Sequence, residues 1–355
     1  MLGTGFILLL FLRQLRLGKE LPAPELSEQT SLQSSSKIRL FEKSGGRVDW
    51  SLQGIIAYDQ RGDDGYFDVY TIKPDGSEKT CITCMRAEVS RLHTGNPAWH
   101  PNGKYLVFQV QAKDTFLGDE FSTPGKGVNN ELWLTDAHGE KFWQLTDISS
   151  RKYFGVLHPH FSHDGRMLLW SEYQRPGGIL GIWSLMLADF SLEGSTPRIA
   201  NIRTFTPGDN PRFYESHGFT KDDEGILYTA NSDLDQSELG LDIYVLKLQT
   251  QEVTNLTNTP REWDEHAQLS PDGKRIVWVT GRGNGRGQLD MWMMNSDGTE
   301  KKKLTYFHEA ARPEYIGHGI GPADSSWSPD GRQLIAYVIT DRKEFAGSNY
   351  IIDIE

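Results

Sequence analysis

Cysteine is almost absent from this 355-residue chain. The two present, Cys81 and Cys84, stand as Cys-Ile-Thr-Cys with no second pair elsewhere, so a four-thiolate zinc site is excluded within one chain. Met85 occupies the position where a c-type haem attachment needs histidine. Two readings of the pair stand: small apolar residues near a strand end, or a local disulfide formed after export. Basic runs are missing too. A formal net charge of −11 with no cluster of Lys and Arg argues against a nucleic-acid partner, because phosphate binding draws on a basic face.

A membrane-spanning run is also lacking. The N-terminus, Met1 to Leu12, has an apolar core of about eight residues, far short of the ~20 a helix needs to cross a bilayer. Residues 1–19 resemble the apolar region of a signal peptide, but no basic residue precedes the run and no Ala-x-Ala cleavage site follows. A poor signal, a misassigned start and a weak interfacial anchor are the three readings. Export to the periplasm or the extracellular space is the expected destination. Residues 20–36, with Pro22, Pro24 and a Ser34-Ser35-Ser36 run, have the composition of a flexible linker.

What is abundant is turn and strand chemistry. Thirty-six Gly and 39 aromatic residues (10 Trp, 13 Tyr, 16 Phe), with recurring Asp-Gly pairs, indicate many short strands joined by tight turns. Self-similarity supplies the organisation. One hairpin recurs as Trp99-His-Pro-Asn-Gly103, Phe161-Ser-His-Asp-Gly165, Leu269-Ser-Pro-Asp-Gly273 and Trp327-Ser-Pro-Asp-Gly331, each followed by an apolar strand. A further copy, Phe219 to Gly225, reads as carrying two extra turn residues, and Trp50 to Gly54 is a shortened first copy. Second halves run from an acidic residue through an apolar strand to Leu-Thr or a similar pair: Asp68 to Ile82-Thr83, Glu131 to Leu145-Thr146, Asp242 to Leu256-Thr257 and Asp290 to Leu304-Thr305. Period-two alternation marks these as strands.

The Ser-Pro-Asp-Gly hairpin followed by Met-Asn-Ser-Asp-Gly298 and Leu-Thr resembles the TolB-type, WD40-like propeller repeat, over residues 37–355. That resemblance implies an all-β, six-bladed β-propeller of four-stranded antiparallel blades around a channel. Its members include periplasmic binding scaffolds, peptidase accessory domains and a few lyases. Counting strands leaves the last blade one short, so Lys37 to Glu42 is expected to close it beside Asn349 to Ile354.

In such a repeat the segment before the aromatic residue lines the channel. Aligning on Trp99, Phe161, Phe219, Leu269 and Trp327 places Asn96, His158, Ser216, His266 and Asp324 in a ring, with His160, Glu215, His217, Asp264 and Glu265 beside them. Imidazoles and carboxylates converging from different blades are a ligand set for a divalent transition metal, with His158, His217 and His266 as the metal candidates. A plain water-filled polar channel and a metal-free site for an anionic or sugar ligand are the other readings.

The expected function is a monomeric, exported module that recognises a protein or glycan partner through the channel mouth and loops, notably Gln111 to Asn130 and Gly194 to Arg212. The alternative is a metal-dependent lyase of the oligogalacturonate type, with Arg212 or Arg312 meeting the substrate carboxylate. Catalytic residues are not assigned. A propeller-borne serine peptidase is not expected, since Gly-x-Ser-x-Gly is absent. Asp59 to Asp68 departs from calcium-loop spacing, and Gly281 to Gly287 opens no helix on which to seat a phosphate.

Overall fold

Each sequence copy forms one four-stranded antiparallel sheet, and six such blades make a β-propeller. The computed structural model describes residues 37–113, 115–194 and 196–354; the signal-like stretch 1–19 and the linker 20–36 lie outside them. Among the described residues the only helix is a 3-10 turn at Asp119–Phe121, and no helix is long and apolar enough to cross a membrane. The innermost strands are Val48–Trp50, Thr94–Trp99, Val156–Phe161, Tyr214–Phe219, Asp264–Leu269 and Gly321–Trp327, for blades 1 to 6 in turn. Blade 6 is closed as expected: Ile38–Glu42 pairs antiparallel with Ala346–Asp353, Ile38 opposite Ile352. Closure ties the ends of the ring together and leaves no blade lacking an outer strand.

The recurring turn has one chemical solution. Ser162, Thr220, Ser270 and Ser328 donate their hydroxyls to Asp164, Asp222, Asp272 and Asp330 at 2.6–2.7 Å. The same carboxylates accept the amide of the residue two places on, at 2.9–3.1 Å. The next position is left-handed, with φ of 72° at Gly165, 73° at Gly273 and 68° at Gly331. Blade 4 corrects the sequence reading here. Phe219 pairs with Ile226 just as Leu269 pairs with Ile276, so the turn has the ordinary length with no extra residues. Asp223, at φ 58°, stands where the others have glycine.

The acid and threonine of the second halves meet in a clasp. Thr83, Thr146, Thr257 and Thr305 donate their hydroxyls to Asp68, Glu131, Asp242 and Asp290. The same hydroxyls accept the amides of Val69, Leu132, Ile243 and Met291 at 2.8–3.0 Å. Each clasp pins the last strand of a blade to the start of the third, which explains why Leu-Thr recurs although it touches no channel.

Blade 3 departs from the pattern. Residues 194–212, expected as a surface loop, are mostly strand: Thr196–Phe205 pairs along Ile182–Glu193 to make the longest hairpin of the ring. Residues 112–129 of blade 2 do form the expected insertion, packed by Phe116 against Tyr153, Phe154 and Tyr173.

Candidate functional site

Inner strands in blades 2 to 6 carry a bulge at the same height. In each, two residues oppose one: Asn96-Pro97, His158-Pro159, His217-Gly218, His266-Ala267 and Ala323-Asp324 face Phe108, Trp170, Leu227, Trp278 and Tyr337. The opposing residue is large and buried in every case. A bulge bends the strand and re-aims a side chain; here it presents polar groups at the channel mouth. Asn96, His158 and His266 sit left-handed, at φ 50°, 46° and 52°, a conformation that costs on the order of 1 kcal/mol outside glycine.

Three imidazoles meet there. Ring centroids are 5.5 Å apart for His158 and His266, 6.3 Å for His158 and His217, and 6.2 Å for His217 and His266. His158 Nε2 lies 2.5 Å from Glu215 Oε1 and its Nδ1 3.3 Å from Asp324 Oδ1. His266 Nδ1 is 3.4 Å from Asp324 Oδ1 and 4.0 Å from Glu215 Oε1, and its Nε2 is 3.2 Å from Glu265. The donor atoms of His158, Glu215 and His266 all lie within 4.8 Å of one another.

Most of the expected ring is therefore brought together, with two adjustments. His217, not Ser216, occupies the bulge of blade 4, because the left-handed residue there is Gly218 (φ 101°). Ser216 instead bonds across to the neighbouring blade, donating to the His158 carbonyl at 2.7 Å while its amide donates to Ser171. Glu215 completes the tightest triad, while His217 commits Nε2 to Thr229 at 2.7 Å. Asp264 is taken up by the fold, accepting from Trp278 Nε1 at 2.8 Å. Asn96 donates its backbone amide to Asp59 at 2.8 Å on the blade 1 side, and His160, half-buried, lies beside Gly218 of blade 4.

Arg47 and Asp59 were missed. Arg47 lies three residues before Trp50, the place the alignment assigned to the ring in other blades, but the shortened first copy hid it. Its Nε is 3.5 Å from Asp324 Oδ2 and its Nη1 4.0 Å from Asp59 Oδ1. Arg312 is exposed, stacked on Tyr306 at 4.3 Å and bonded to Glu309, while the Arg212 carbonyl accepts the Trp183 amide. The blade 2 insertion covers this side of the mouth: a Cβ on Gly125 would fall 1.6 Å from Arg47 Nη2, and one on Gly95 would fall 2.4 Å from Pro124.

Comparison with solved structures agrees with the blade architecture. The crystal structure of TolB from Acinetobacter baumannii matches with a TM-score of 0.54 at 17% identity, over 87% of this chain. The fold is a TolB-type β-propeller. This chain spans 65% of the length of the Acinetobacter protein. A structure assigned to TolB from Agrobacterium tumefaciens matches at 0.50 and 16% identity, over 78% of this chain and 94% of that one. An oligogalacturonate lyase in complex with manganese matches at 0.50 and 12% identity, over 90% and 91%. At such identities the likeness is one of fold. No family model matches the sequence, and no curated protein does.

The electrostatics of this TolB-type mouth are uneven. Burial pushes His158 down to about 4 and His160 to about 3, with nearby cationic or imidazole groups adding to the effect, and drives His217 well below its usual value. Burial disfavours the cation at His266 too, but Asp324, Glu265 and Glu215 overcome it and hold that imidazole well above its ordinary range. Burial together with Glu215 raises Glu265 to about 7, and burial raises Glu215. Burial also favours neutral Asp324, yet His266, His158 and Arg47 keep it ionised. A divalent ion requires neutral imidazoles beside carboxylates; His158 is already neutral, and His266 would release its proton when an ion binds.

Proposed function

We propose that this propeller is an exported binding module whose channel mouth holds a divalent transition-metal ion on His158, Glu215 and His266. A carboxylate-bearing partner, glycan or protein, then docks against that ion and Arg47. The observation that carries the reading is an unbalanced buried cluster. Asp59, Glu215, Glu265 and Asp324 are all more than nine-tenths buried, and among the described residues Arg47 is the single permanent cation paired with them. Buried charge without compensation is costly, so such a site takes up protons or a cation. Polar atoms without a hydrogen bond gather here as well: Arg47 Nε, Asn96 Nδ2, His160 Nε2, Glu215 Oε2, His266 Nδ1 and Asp324 Oδ2. Mixed imidazole and carboxylate donors suit Mn, Fe or Zn better than Ca or Mg. When bound, such an ion neutralises the cluster and polarises a ligand oxygen.

Elemental analysis of the full chain, purified without chelator, tests this beside a variant carrying His158→Ala and His266→Ala. The expected result is near-stoichiometric metal in the native chain and none in the variant. Equal metal in both, or none in either, removes the reading. A second reading is metal-dependent cleavage of uronic-acid chains by β-elimination. It is supported by the neutral imidazoles of His160 and His217, bases placed close to the triad, and by the likeness in fold to a manganese-bound lyase. Ultraviolet-absorbing unsaturated uronides released from oligogalacturonate by the metal-loaded chain would favour it; their absence leaves the binding module. Export itself rests on residues 1–19, and a reporter fused to that stretch tests it.

A further inference from the structure

Four blades share the acid and threonine clasp, and blade 1 alone among them adds sulfur to it. Blades 2, 4 and 5 complete the clasp with Thr146, Thr257 and Thr305 and no cysteine. The outer strand of blade 5, Lys302–Lys303, is as short as Thr80–Cys81 in blade 1. The Cys81–Cys84 disulfide, which bridges a sequence separation of 3, is thus surplus to the architecture, and so small a loop constrains the unfolded chain little.

Its surroundings are those of a reactive pair. Both cysteines are half-buried rather than sealed in the core. The Cys84 amide donates to Cys81 Sγ at 3.1 Å, a bond that favours a thiolate on that sulfur. The Tyr70 hydroxyl lies 3.5 Å from Cys84 Sγ. An Asp68 carboxylate oxygen and the two sulfurs lie within 4.8 Å of one another. The adjoining Met85 is 79% exposed at φ 57°, an apolar contact beside the sulfurs.

We propose that Cys81 and Cys84 form a thiol–disulfide exchange site that accepts electrons from a dithiol, with Asp68 as its proton-transfer group. A thiolate of the donor attacks Cys84 Sγ and the Cys81–Cys84 bond breaks. Cys81 leaves as the thiolate held by the Cys84 amide and takes a proton from Asp68. The donor's second thiol, deprotonated, attacks its own sulfur in the mixed disulfide and releases Cys84, which is protonated in turn; Asp68 regains its proton from solvent. The donor dithiol is oxidised to a disulfide and the pair is reduced to two thiols, with two electrons transferred. Burial, opposed by the Thr83 hydroxyl, raises the Asp68 carboxyl and keeps it protonated further up the pH scale than an ordinary aspartate.

The test equilibrates the full chain in glutathione buffers from oxidising to reducing, traps thiols by alkylation and counts them by mass, with dithiothreitol as the dithiol for rates. Both cysteines are expected to convert together inside the glutathione range. Asp68→Asn, which removes the proton donor to the leaving Cys81 sulfur, is expected to slow reduction at least roughly tenfold. Thr83→Val, which breaks the clasp and removes the hydroxyl that lowers the Asp68 carboxyl, should not slow reduction. A pair that stays oxidised across the whole range overturns the proposal. So does equal slowing by the two variants, or a reduced pair that takes up Zn²⁺ stoichiometrically and no longer reoxidises.

Discussion

The two ends of the inner strands solve different problems. At the turn end, four blades repeat one arrangement in which a hydroxyl and an amide converge on a single carboxylate. At the mouth end, the six blades supply Arg47, Asn96, His158, His217, His266 and Asp324: three successive blades give histidine, and the other three give a cation, an amide and a carboxylate. Repetition with satisfied partners is what an architecture needs. Divergence with orphaned buried atoms is what a binding site needs, because a ligand supplies the missing partner. The contrast implies that substitutions deep in the repeat cost stability, while those at the mouth trade stability against binding.

The largest effect is expected in a clasp. Asp290 is fully buried, accepts from Thr305 and from the Phe307 amide at 2.8 Å, and pairs with Lys303 at 3.0 Å. Asp290→Ala leaves the Thr305 hydroxyl, the Phe307 amide and the Asn284 side-chain amide without their buried acceptor, while Lys303 keeps Glu309 at 3.6 Å and Asn284 at 3.3 Å, so a loss of about 3 kcal/mol is expected in denaturant unfolding. A loss below about 1 kcal/mol would mean the clasp is incidental to the fold.

At the mouth the corresponding sign depends on pH. Burial, opposed by Arg47, raises Asp59 to about 6, above its ordinary 3.8. A carboxyl whose folded pKa is raised favours the folded state while protonated. That contribution is complete below the unfolded value and disappears as pH climbs through about 6. Metal-free native protein should therefore lose on the order of 3 kcal/mol between pH 4 and pH 7 from this residue, and Asp59→Asn should remove that slope. Parallel stability curves for the two proteins would show that Arg47 neutralises Asp59 fully.

Much of this contrast was readable in the sequence, for a physical reason. The Ser-Pro-Asp-Gly turns and Leu-Thr clasps are local, so spacing alone reveals them, and the closing strand follows from counting. The mouth is assembled across blades, and its alignment slipped by one residue where Gly218 takes the left-handed position and presents His217 in place of Ser216. Arg47 was hidden because Trp50 pairs with Ile56 across a turn one residue shorter than Trp99 to Leu106. Glu215 was seen as a neighbour of the ring but not as a member of the triad, since no periodicity reports distance across a channel. Nothing in residues 194–212 distinguishes a loop from the exposed outer strand it forms, because that strand buries little and so lacks alternation.

The insertion over Arg47 tests whether the mouth is covered by contact or by coincidence. Gly125→Val places a side chain on the guanidinium, and an overpacking cost of about 2 kcal/mol is expected. In an Arg47→Ala background the same substitution should cost measurably less, because the clashing group is gone. Identical costs in the two backgrounds would show that residues 112–129 are held by Phe116 and its aromatic neighbours alone.

The smallest effect belongs to Asp223, where the repeat itself is broken. A non-glycine residue at φ 58° costs on the order of 1 kcal/mol, less for Asp than for most. In exchange its carboxylate reaches the turn of blade 3, accepting the amides of His163 and Asp164 at 2.9 and 3.1 Å and lying 2.7 Å from His163 Nδ1. The imidazole is 41% exposed, so its share is small, and the two amide bonds carry most of the gain. Asp223→Gly loses the bonds and the strain together and should change stability by less than about 1 kcal/mol. Asp223→Ala loses the bonds but keeps the strain, and should cost about 2 kcal/mol. The gap between the two variants measures the backbone alone, and the gap between Asp223→Gly and the native chain measures what one blade gains by gripping the next. If Asp223→Gly proves more stable by over about 1 kcal/mol, the grip contributes nothing and the residue is a defect the turn tolerates.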